Sequence, residues 1–83
     1  MTEKQMAELL KYASPYSILV VTYRNKIIEL RCPFRVELKH DIGDLNKSEI
    51  VNVDLVKLST NLLTVFIIKN KAFYYFHFLI LID

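Results

Sequence analysis

The sequence predicts a small, mostly β domain: one N-terminal helix followed by a five-stranded, strongly bent antiparallel meander that curls toward a small barrel. Three observations predict it. Apolar and polar residues alternate strictly from Ile28 to Lys39, the period of a half-buried strand. The other apolar segments are short, rich in β-branched or aromatic residues, and separated by polar turn residues. Only residues 2–13 carry a helical spacing.

In that helix, Thr2 is placed to cap the first turn and Gln5, three residues on, completes a capping-box pattern. Met6, Leu9, Leu10 and Ala13 form one stripe at i, i+3, i+4 and i+7. Glu3 and Lys11 suit the positive and negative ends of its dipole, and Pro15 stops it. The helix is expected to cover one open face of the sheet. The first strand is about 17–23, and Arg24-Asn25 supplies a two-residue turn in which Asn tolerates positive φ. The second, about 26–39, places Ile28, Leu30, Cys32, Phe34, Val36 and Leu38 on one face and Glu29, Arg31, Pro33, Arg35, Glu37 and Lys39 on the other. So long a strand in a small domain must bend, and Pro33 marks the bend because it needs no ladder hydrogen bond. A polar loop follows, with the only glycine, Gly43. The third strand, about 50–58, changes parity at Leu55-Val56, the signature of a β-bulge. Ser59-Thr60-Asn61 leads into a fourth strand, about 62–68. Lys69-Asn70-Lys71 leads into a fifth, about 72–82. Short connections favour a meander.

The chain has 83 residues, a formal charge of +2, 53% hydrophobic residues, one Gly and one Cys. It is one domain. Disorder and low-complexity repeats are excluded, and one cysteine cannot make a disulfide framework. The free Cys32 and the interruption of the N-terminal segment by Glu3, Lys4 and Glu8 point to a cytoplasmic protein without a signal peptide. The longest apolar run, Phe73 to Ile82, falls short of the ~20 residues a spanning helix needs, so no membrane span is expected.

The stretch Asp41-Ile42-Gly43-Asp44-Leu45-Asn46-Lys47-Ser48-Glu49-Ile50-Val51-Asn52-Val53 resembles the loop and strand of SH3-like small barrels, in which a Gly, a short turn and a Val-x-Val strand follow one another. Ser48 stands where such turns often carry a second glycine. The resemblance, over about a sixth of the chain, implies that barrel and a small uncharacterised family. It implies no single function, because such barrels bind peptides, nucleic acids or nothing known.

No catalytic, cofactor-binding or metal-ligating residue emerges. His40 and His77 lack metal-ligand spacing, and His40 beside Asp41 and Asp44 reads as a solvated polar turn. Cys32 lies on the apolar face, where a thiol is unreactive. One glycine cannot build a phosphate cradle. An enzyme is therefore not expected.

The last strand carries the functional signal. Phe73, Tyr75, His77, Leu79 and Leu81 point one way, and Tyr74, Phe76, Phe78, Ile80 and Ile82 the other, so both faces are apolar. Either the N-terminal helix covers the outer face, or that face is a contact surface. The leading expectation is a non-enzymatic interaction module, a homodimer or a protein-docking domain, with Tyr74, Phe76, Phe78 and Ile80 at the interface. The alternative is a nucleic-acid-binding barrel using Lys57, Lys69 and Lys71. The mixed charges on the second strand, Glu29, Arg31, Arg35, Glu37 and Lys39, argue against a phosphate track.

Overall fold

The structure, a computed structural model, describes residues 5–82. These contain nine strands, a single 3-10 turn and no α-helix. In chain order the strands are β1 (Gln5–Ser14), β2 (Ser17–Thr22), β3 (Ile27–Arg31), β4 (Phe34–Leu38), β5 (Ile50–Val53), β6 (Leu55–Leu58), β7 (Thr64–Ile68), β8 (Lys71–Tyr74) and β9 (Phe78–Ile82), with the 3-10 turn at Tyr75–His77. They form a six-stranded sheet in the order β3-β2-β1-β9-β4-β5 and a three-stranded sheet in the order β6-β7-β8. Among the described residues no helix is long and apolar enough to cross a membrane.

The predicted helix is a strand. Its first residues, 2–4, lie outside the described residues, but from Gln5 onward the segment is β1, paired with β2 over Ala7–Ser14 and with β9 over Gln5–Ala7. The helical spacing does not mark the face that packs. Two residues of β1 stand against one of β2 between Leu9 and Lys11 and again between Tyr12 and Ser14, so β1 carries two bulges. Ala7, Leu9 and Tyr12 pack on the core, and the bulge at Leu10 stretches the last step to three residues. Of the stripe Met6, Leu9, Leu10 and Ala13, only Leu9 is among these packed residues. Met6 and Leu10 of the supposed stripe are 40% and 51% exposed. Ladders on both sides of β1 override a local helical preference that a segment this short could not sustain alone.

The meander and the barrel are corrected too. The last strand is broken by Tyr75–His77, so β8 closes the small sheet while β9 inserts between β1 and β4 in the large one. Strands far apart in sequence are thus neighbours. No barrel closes: the large sheet ends on β3 and β5, and the small one on β6 and β8. The parity change at Leu55-Val56 is a change of sheet rather than a bulge within one strand. The chain leaves β5 at Asp54 and enters β6, taking Val53 and Val56, both 0% exposed, into the core from different sheets.

The long alternating segment is divided into two consecutive strands. β3 and β4 are interrupted at Cys32-Pro33, a cis peptide, and three strands separate them in the sheet order. In a flat sheet four spacings of about 4.8 Å would hold them roughly 19 Å apart. The link from Arg31 to Phe34 reaches at most about 11 Å. The sheet must therefore curl. Parity runs through the break: Phe34, Val36 and Leu38 are buried, and Ile28, Leu30 and Cys32 pack against the core.

Phe66 of β7 joins the two sheets. Its ring is fully buried, with centroids 5.4 Å from Phe34 of β4 and 5.8 Å from Phe78 of β9. Burying side chains of this size contributes about 1.5–3 kcal/mol each.

Candidate functional site

The registers of the small sheet sort its residues into two faces. Val56, Phe66 and Phe73 lie side by side across β6, β7 and β8 and face inward, as do Thr64 and Ile68 of β7. The other face carries the rows Leu55–Ile67–Ala72 and Lys57–Val65–Tyr74. Not one of these six residues is buried, and Lys57 is the sole charge among them. An antiparallel sheet with one face on the core normally turns a polar face to water. Here the outward face is apolar.

The aromatic 3-10 turn borders that face. Tyr74 and Phe76 are 39% and 46% exposed, and their rings stack with centroids 5.5 Å apart at an interplanar angle of 11°. Stacking holds two exposed rings in one orientation, which lowers the entropy lost on contact. Phe78 and Ile80, which strict alternation puts beside them, are core residues of β9 at 4% and 3% exposure. The turn breaks the alternation, so the four candidate interface residues divide into two at the surface and two inside.

The three lysines do not form one patch. Register places Lys57 and Lys71 on opposite faces of the small sheet. Lys71 Nζ donates to Asp44 Oδ2, and this bond holds the Asp44 carboxyl below the usual carboxylate range. Lys69 sits in the β7–β8 turn at φ 52°.

The loop acids are engaged in holding the loop. Asp41 Oδ1 accepts the Lys47 N–H at 2.7 Å, and Glu49 Oε1 accepts that of Asn46 at 3.0 Å. Ser48 takes φ 71°, the left-handed conformation for which a glycine would otherwise be chosen. Cys32 is half-buried, and burial, with Asp54 adding to it, pushes its thiol above the ordinary value. A raised pKa leaves little thiolate for attack.

Sequence reasoning missed one juxtaposition. His40 Nε2 and His77 Nδ1 are 2.9 Å apart, within hydrogen-bond distance, although 37 residues separate them in sequence. The β4–β9 ladder brings them together by pairing Leu38 with Phe78, and the Lys39 N–H donates to the His77 carbonyl at 3.0 Å. Burial, then the neighbouring His40 and Lys39, push the His77 imidazole below its ordinary pKa. Neither spacing nor composition signals this pair. The apolar outer face was also missed, although the parity change at Leu55 and the Val65/Ile67 pair were its trace in the sequence.

A second apolar area lies where Leu9, Leu10 and Tyr12 of β1 meet Leu58, Leu62 and Tyr75. Leu62 at the β6–β7 turn is 76% exposed and held at φ 65°. A left-handed conformation costs a side-chain-bearing residue about 1–2 kcal/mol, part of which glycine gives back in entropy. Leu62→Gly is therefore expected to raise stability by about 0.5–1 kcal/mol in urea titration. A loss of stability instead would show that the Leu62 side chain contributes more by packing than its backbone costs.

No protein-family model, curated protein or solved structure matches the chain.

Proposed function

We propose that the protein is a non-enzymatic interaction module that self-associates through the outer face of its three-stranded sheet, with Tyr74 and Phe76 as the anchors. One observation carries the reading: the outer sheet face is built of half-buried Leu55, Val65 and Ile67 with exposed Ala72 and Tyr74, and a second exposed aromatic is stacked on Tyr74. Exposed apolar surface is unfavourable by about 25 cal/mol per Å2, and contiguous patches of it mark contact sites. Paired rigid aromatics are the side chains that most often dominate such contacts. The apolar rows of this face need no complementary charge in a partner, and its one lysine, Lys57, stands on the edge strand β6, so a two-fold contact between identical copies can bury the rows with the two lysines at the rim.

Light scattering over a dilution series tests this. The wild-type protein is expected to have a mass above that of one chain, falling on dilution. Tyr74→Ser combined with Phe76→Ser is expected to give one-chain mass throughout. Its unfolding free energy, extrapolated to zero association, should shift by no more than about 1 kcal/mol per substitution, as for surface positions. A wild-type protein monomeric at every concentration would overturn self-association, as would a double variant that assembles equally well.

A further inference from the structure

We propose that His40 and His77 form a two-imidazole chelate for a borderline divalent transition-metal ion, represented by Zn2+, with water in the remaining positions. The two nitrogens, His40 Nε2 and His77 Nδ1, already face one another at 2.9 Å, and the ring centroids are 5.1 Å apart. A zinc–imidazole bond is about 2.0–2.1 Å, so two such bonds at a tetrahedral angle put the nitrogens roughly 3.3–3.4 Å apart and the centroids about 5.2 Å apart. The centroid spacing needs almost no change. The rings have only to tilt, so that the lone pairs converge on a point beside the line between them.

The backbone that carries the pair is fixed. His77 ends the 3-10 turn and His40 follows β4 by two residues, and the bond from the Lys39 N–H to the His77 carbonyl ties the two segments together. Once one imidazole has taken the ion, the second binds it at high effective concentration. Two neutral rings hold two protons between them. The proton in the N–H···N bond moves to the far nitrogen of its own ring when the metal takes its place, so neutral imidazoles bind without net proton release. Below the range where the rings are neutral, protons compete with the metal. Imidazole nitrogen suits zinc, copper and nickel and does not suit magnesium. Among the described residues no group of three or more His, Cys, Asp or Glu side chains surrounds one point, so the site is open and its affinity modest. Lys39, whose charge acts on His77, lowers that affinity further.

Isothermal titration with Zn2+ in a non-coordinating buffer near pH 7.5 is the test, run on the wild type, His40→Gln and His77→Gln. The wild type is expected to bind one ion per chain with a submillimolar Kd. Either substitution is expected to weaken binding at least about tenfold, because each destroys the chelate. Mg2+ should give no signal. In parallel, Zn2+ should shift the imidazole NMR resonances of both histidines in the wild-type protein, a readout that does not depend on the variants folding. Equal Zn2+ affinity in all three proteins would overturn the proposal. So would a wild type in which only one imidazole, or neither, responds.

Discussion

Phe66→Ala is expected to remove about 3–5 kcal/mol of stability, the range for emptying a buried aromatic site. A chain of this length has only about 4–12 kcal/mol to lose. The effect is placed at the top of that range by what Phe66 touches. Its ring lies between Phe34 and Phe78, so truncation separates the small sheet from both β4 and β9 at once. Thermal unfolding should report a fall of at least about 20 °C, at 4–8 °C per kcal/mol for a domain of this size. A fall of a few degrees would mean that the two sheets do not share this ring.

Ile80→Ala is expected to cost about 2–5 kcal/mol, whereas Tyr74→Ser should cost about 1 kcal/mol or less. Strict alternation along 72–82 would give these two residues the same environment. The structure gives them opposite ones. Ile80 is 3% exposed and sits between Ala7 of β1 and Val36 of β4, while Tyr74 stands on the outer face of the small sheet. Urea titrations of the two single variants, run at a concentration low enough to suppress association, measure the difference. Equal losses would contradict both the break at Tyr75–His77 and the central position of β9.

The local parts of the fold were legible. Period two along Ile28–Leu38 separates the packed residues from the exposed ones, with Glu37 alone of the outward set half-buried, because a strand with one wet face must write its pleat into its sequence. Asn25 at φ 61° follows from residue chemistry in the same way, whereas Pro33, read as a bend within one strand, lies where the chain divides into β3 and β4. What was not legible depends on partners distant along the chain. β1 carries a helical spacing of which only Leu9 packs on the core, and only the β2 ladder shows which residues turn inward and where the bulges fall. The last strand reads as two-sided because its two halves belong to different sheets. Phe78 and Ile80 face a core built by β1 and β4, and Tyr74 faces outward. The candidate site was visible as an excess of aromatic residues, while its composition depended on a register that no local pattern encodes. The histidine pair was invisible for the same reason.

The position of β9 also sets an order of events in the life of the chain. The last described strand fills a slot between the first strand and the fourth, with Gln5 opposite Ile82. Until β9 has been synthesised, β1 and β4 each present an unpaired edge, and Phe66 lacks one of its two aromatic neighbours. A nascent chain therefore accumulates β hairpins that cannot yet condense. Completing the large sheet requires β9, and its docking must close a loop spanning nearly the whole domain. Such non-local topologies fold in milliseconds to seconds rather than microseconds. During that interval the open edges of β1 and β4 can pair with other chains, so exposure to wrong pairing lasts until β9 docks.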